Sequence, residues 1–121
     1  MKKILLTDDE PNIVKVVSAR LKAHNYEVIP AYDGESALDA VYREKPDLIL
    51  LDIMLPKLDG YKVCQKLKSD PKWKEVPIIL FSAKTQAADK QTGREYGADA
   101  YIAKPFQPEQ LLETIKYLLK E

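Results

Sequence analysis

The chain has 121 residues, 45% of them hydrophobic, with 19 basic and 19 acidic side chains and no formal net charge. This is enough apolar material for one core and too much for a disordered chain, so a single domain over residues 1–121 is expected, and zero net charge gives no electrostatic footprint for nucleic acid or an anionic membrane. A lone Cys64 excludes an internal disulfide and a multi-cysteine metal site, the apolar start at 4–6 is too short for a signal peptide, and no stretch is long enough to span a bilayer, which together favour a soluble, cytoplasmic protein.

Along the chain, two periodicities alternate. Apolar runs without polar alternation stand at 4–6, 28–29, 48–51 and 78–81, with a weaker one at 100–103. Such runs read as strands of a parallel sheet, buried on both faces. Helical stripes lie between them. Ile13, Val17 and Leu21 mark the first, Ala37, Leu38 and Val41 the second, Val63, Cys64 and Leu67 the third. A fourth helix over 86–96 carries few large apolar residues and has Gly93 near its middle, while Leu111, Leu112, Ile115, Leu118 and Leu119 give the fifth the cleanest amphipathic face. Pro11 and Pro108 suit first helical turns, Asn25 a left-handed helix end, and Asp33 and Asp59 N-caps. The alternation implies a (βα)5 chain, an α/β fold with a doubly wound five-stranded parallel sheet. Right-handed crossovers suggest the strand order 2-1-3-4-5, with a switch point between strands 1 and 3.

Ligands of open α/β sheets bind at the carboxyl ends of the strands beside that switch point. Strand 1 ends in Asp8-Asp9, strand 3 in Asp52, strand 4 in Ser82-Ala83 and strand 5 in Lys104-Pro105. Asp8, Asp9 and Asp52 should therefore crowd one crevice, with Ser82 and Lys104 approaching from the side. Crowded carboxylates repel, and a hard cation such as Mg²⁺ relieves them through oxygen ligands. Three carboxylates, one Mg²⁺ and one lysine sum to zero formal charge. A carboxylate is also a competent nucleophile for aspartyl-phosphate chemistry.

Taken together, Asp8-Asp9, Leu50-Leu51-Asp52, Pro56-Lys57-Leu58-Asp59-Gly60, Ser82-Ala83 and Lys104-Pro105-Phe106 resemble the signature of bacterial two-component response-regulator receiver domains, the CheY-like superfamily of flavodoxin-like fold. Each motif alone is weak; their joint occurrence over the whole chain is specific. The resemblance implies that Asp52 is the phosphoacceptor. It implies that Asp8, Asp9, Asp52 and the Met54 backbone carbonyl hold Mg²⁺ (Mn²⁺ as a substitute). Ser82, Ala83 and Lys104 match phosphoryl-binding positions, Ser82 and Tyr101 the switch pair, and Lys104-Pro105 a cis peptide. Leu58 replaces a frequent methionine of the family. The implied partners are a histidine kinase or histidine phosphotransfer protein and a downstream protein or output domain. The implied outcome is a switch of the face formed by helix 4, strand 5 and helix 5, without turnover of an external substrate.

Other residues read as structural. Glu10 suits a helix start, His24 a helix end, Cys64 a core position, and Trp73 with its neighbouring lysines a loop far from Asp52. A turnover phosphatase lacks support, for there is no specificity insert and no Asp-x-Asp motif after strand 1. A flavin-binding relative of the fold is disfavoured by the acidic loop after strand 1. The chain ends with helix 5, which suits either a stand-alone regulator or the receiver of a longer protein.

Overall fold

The computed structural model describes residues 1–82 and 95–121, without the side chain of Ser82. The Ser82 hydroxyl, Ala83, Lys84 and most of the helix expected over 86–96, Gly93 included, lie outside the described residues.

Five strands form one all-parallel sheet: β1 (Lys3–Thr7), β2 (Glu27–Ala31), β3 (Leu48–Asp52), β4 (Ile78–Ser82) and β5 (Ala100–Ala103). Their order is β2-β1-β3-β4-β5, as expected. The described helices are α1 (Pro11–Ala23), α2 (Gly34–Glu44), α3 (Gly60–Lys68) and a C-terminal helix, Pro108–Leu119.

Alternate residues of each strand point to opposite faces, and the two cores divide on that rule. Leu5, Ile49, Leu51, Ile78 and Leu80 pack against Ala37, Ala40 and Val41 of α2 and Val63, Cys64 and Leu67 of α3. Ile4, Leu6, Leu48, Leu50, Ile79, Phe81 and Ile102 pack on the other side against Val14, Val17 and Leu21 of α1 and Leu111, Leu112 and Ile115 of the C-terminal helix. With an apolar layer on each face, β3 is buried along its whole length.

The expected punctuation is in place. Pro11 and Pro108 stand in the first turns of their helices, Asn25 has φ 69°, and Asp33 and Asp59 accept hydrogen bonds from the N–H groups of Ser36 and Lys62.

Two expectations need correction. β2 and β5 are edge strands and only half-buried, with Pro30 exposed in β2. An edge tolerates proline because its missing N–H has no neighbour to serve. On α1 the deepest stripe is Val14, Val17 and Leu21, with Ile13 only half-buried.

Candidate functional site

The sense in which successive strands are added across the sheet reverses at β1 and β3: β2 lies to one side of this pair and β4 to the other. In such a sheet the binding crevice lies outside the carboxyl ends of the strands at this switch point. Asp8 follows the last residue of β1 and is fully buried; Asp52 is the last residue of β3 and is 5% exposed.

Lys104, just after β5, reaches between them. Its Nζ donates to Asp8 Oδ2 at 2.7 Å and to Asp52 Oδ2 at 3.1 Å. The same ammonium lies 4.8 Å from the centre of the Phe81 ring, whose face is a favourable seat for a cation. Phe106 meets Phe81 edge-on, and the Lys104–Pro105 peptide is cis.

The other oxygen of each carboxylate is also hydrogen-bonded. Asp8 Oδ1 accepts the Glu10 N–H at 2.9 Å, and Asp52 Oδ1 accepts the Met54 N–H at 3.0 Å. Burial pushes the Asp52 carboxyl above its ordinary range and Asp8 adds to this, while the Met54 N–H and Lys104 pull the other way without prevailing. For Lys104, burial favours the neutral amine, but hydrogen bonds and charge from Asp8 and Asp52 outweigh it and the ammonium is held above its usual range. The pair is thus asymmetric. The lysine gains two anions, whereas Asp52 shares one cation with a second carboxylate.

Asp9 is exposed and stands with Asp8 and Glu10, one carboxylate oxygen from each lying within 4.8 Å of the others. Glu10 occupies the N-cap position of α1, as a helix start predicts, yet its side chain caps nothing. An all-oxygen donor set of this kind suits Mg²⁺ or Mn²⁺. Asp52 joins this trio through Lys104, which bridges it to Asp8. Met54 follows and is 62% exposed, and Tyr101 is half-buried against the α2–α3 core cluster.

The structure therefore brings together Asp8, Asp9, Asp52 and Lys104 from three strand ends. Sequence reasoning missed the Phe81 seat. Its signal was an aromatic as the last apolar residue of β4, next to Ser82. Cys64 is buried in the core, and burial pushes its thiol up to about 12, so it is no nucleophile at neutral pH. His24 stays at the end of α1, as expected. Trp73, before β4, is buried in the cluster that holds the α2 and α3 core residues.

Among the described residues no helix is long and apolar enough to cross a membrane.

Known proteins carry the same design. The family model for the response regulator receiver domain matches residues 4–116. The probable transcriptional regulator ycf27 of Guillardia theta is 47% identical over 118 residues, which are 98% of this chain and 45% of that protein. The chain spans about half the length of the curated relatives it matches. The BeF3-activated N-terminal receiver domain of Klebsiella pneumoniae RstA superposes with a TM-score of 0.92 at 34% identity, covering 98% of this chain and 99% of that one. The receiver domain of sensor histidine kinase PA1611 from Pseudomonas aeruginosa, with a magnesium ion coordinated in its active site cleft, superposes with a TM-score of 0.90 at 31% identity, covering 99% of this chain and 98% of that one. With its family signature, strand order and acidic crevice all in agreement, the chain belongs to the response regulator receiver domains of two-component systems, a family whose function is to accept a phosphoryl group.

Proposed function

We propose that residues 1–121 form one receiver unit in which Asp52 accepts a phosphoryl group from a phosphohistidine of a histidine kinase or histidine phosphotransfer protein. The observation that carries this reading is the Lys104 ammonium held at 2.7 and 3.1 Å between the buried carboxylates of Asp8 and Asp52. In the proposed step an oxygen of ionised Asp52 attacks phosphorus. The bond from phosphorus to the donor imidazole nitrogen breaks, an acyl phosphate forms, and the imidazole leaves with the electron pair of that bond.

Asp8, Asp9, Asp52 and the Met54 carbonyl are the residues that would hold Mg²⁺. Bound there, the ion would neutralise the crowded acids and polarise phosphoryl oxygens. Lys104 is placed to turn from Asp52 to the new phosphoryl oxygens, since phosphorylation removes the carboxylate charge it serves. Ser82 and Ala83 are assigned to the phosphoryl group as the sequence implies. Tyr101, beside β4 in register with Leu80, is assigned with Ser82 to the switch that remodels the face of helix 4, strand 5 and helix 5.

The modified chain then controls a downstream partner or an output domain of a longer protein. It acts on itself and turns over no external substrate. The relatives named as transcriptional regulators support a signalling output, and the reading places the chain in the cytoplasm.

Intact mass after incubation with a small-molecule acyl phosphate tests this. We expect a single phosphoryl adduct in wild type, dependent on Mg²⁺ and absent from Asp52→Asn. An adduct of equal yield in Asp52→Asn, or none in wild type, overturns the assignment.

A further inference from the structure

The loop over 53–59 joins β3 to α3 and carries Met54 beside Asp52. At its base it is held by its own strand. The Gly60 N–H donates to the Ile53 carbonyl at 2.9 Å, and a β-carbon on Gly60 would stand 2.3 Å from the Asp52 carbonyl oxygen. At its tip, however, it is held by a different element. The first residue of α2, Gly34, is buried and donates its N–H to the Pro56 carbonyl at 3.3 Å. A β-carbon on Gly34 would lie 1.9 Å from the Leu58 carbonyl oxygen and 2.7 Å from the Leu58 β-carbon. Since such contacts essentially never fall under 3.0 Å, backbone on one side must shift. Next to Gly34, Asp33 Oδ2 lies 3.8 Å from Lys57 Nζ, and Lys57 itself sits at φ 69°, a left-handed conformation unusual for lysine. Such a conformation persists where its surroundings over-determine it.

We propose that Gly34 is a positioning residue of the carboxylate pocket: the start of α2, through the glycine contact and the Asp33–Lys57 pair, braces the loop that presents Met54. The inference rests on the phosphoacceptor reading above for its metal. The bracing acts through backbone, so the tolerance is small. Shifting the Leu58 carbonyl moves a short loop whose other end is fixed at Asp52. Helix propensity makes the test clean. Alanine in place of glycine normally favours a helix, so harm from Gly34→Ala must come from the contact with Leu58.

The test compares wild type, Gly34→Ala, Asp33→Ala, Asp9→Asn and Asp99→Ala. Asp99 accepts from the Ile78 N–H and from Lys68 Nζ at the opposite end of the sheet, so its loss loosens the fold away from the pocket. MgCl₂ is titrated while the backbone amide resonances of residue 9 and Met54 are followed. Amide exchange over 53–60 is measured separately in a chelator.

Gly34→Ala is expected to weaken Mg²⁺ binding about tenfold, the scale seen when support of a metal ligand is lost, and to speed exchange over 53–60. Asp33→Ala should do the same to a smaller extent, and it keeps the inference testable if Gly34→Ala does not fold. Asp99→Ala should titrate as wild type. The inference is overturned if both loop-bracing variants titrate and exchange as wild type, or if Asp99→Ala weakens Mg²⁺ by the same factor. If wild type shows no response to Mg²⁺, or Asp9→Asn responds undiminished, the metal reading falls instead, and exchange over 53–60 in the chelator still decides whether α2 braces the loop.

Discussion

Replacing Lys104 with Met removes the cation that the structure places between two buried acids. Its consequences can be worked from the geometry. Asp8 is fully buried and Asp52 is 5% exposed, and each loses a charged hydrogen bond, at 2.7 and 3.1 Å. Removing one partner of a buried ion pair costs about 3–5 kcal/mol, because the remaining charge stays desolvated. Methionine keeps an apolar stem of similar length, so little of the loss is packing.

The pH dependence has a definite sign. A carboxyl whose folded pKa is raised opposes folding while ionised, and protonation removes that penalty. Asp52 is already raised by burial and rises further without Lys104. The deficit of the variant should therefore be largest near neutrality and shrink as pH falls through the raised Asp52 range. Lys104 has a raised folded pKa, so its own contribution is fully present below the ordinary lysine range and is lost as pH rises through its folded value. The deficit should thus also narrow in strong alkali. Urea unfolding in a chelator, followed by Trp73 fluorescence, measures it. Trp73 is 7% exposed and lies at the other end of the sheet from Asp52, so it reports global unfolding and not the site. A deficit under about 1 kcal/mol at pH 7, the size of an exposed pair, or one that does not change between neutral and acid pH, would refute the reasoning.

Further outcomes follow from single groups. Thr7 Oγ1 is fully buried and has no hydrogen-bond partner among the described residues; Thr7→Val should raise stability by about 1 kcal/mol, seen as a higher urea midpoint at constant slope, and a lower midpoint would show that the hydroxyl is satisfied in solution. Tyr26 donates to Glu121 Oε1 at 2.8 Å, and burial first, then Glu121, push its phenol up to about 12 from 10.0. The folded state thus keeps a proton that the unfolded chain sheds first, so stability should fall between about pH 10 and pH 12 by on the order of 2 kcal/mol; Tyr26→Phe should flatten that alkaline limb, and an unchanged limb would sink the assignment.

Much of the fold and pocket was legible for a shared reason. A carboxylate directly after an apolar strand, as Asp52 is after Leu48, Ile49, Leu50 and Leu51, is costly unless partnered, so its presence signals a partner. Lys104 is that partner. The βα alternation then dictates which strand ends meet. The edge character of β2 was harder to see, because Val28 and Ile29 look alike on an edge and in the centre, and only Pro30 hints at the difference. On α1, Ile13 and Val14 are equally apolar neighbours. The angle at which the helix crosses the sheet chooses Val14, and that angle is a property of the whole packing.

The brace at Gly34 shows a deeper limit. Asp33-Gly34 reads in sequence as a helix start, and Asp33 does cap α2. Nothing in that dipeptide says that the glycine is needed by Leu58, 24 positions along the chain, because the contact is made by a missing side chain against a backbone carbonyl. Charge advertises itself in a sequence, since only a few residue types carry it. Backbone proximity leaves only an unexplained glycine, and a glycine at a turn already has a local explanation. The acids and the lysine of the pocket could therefore be inferred one by one, whereas what holds the neighbouring Met54 loop in register became visible only once α2 and the 53–59 loop were placed side by side.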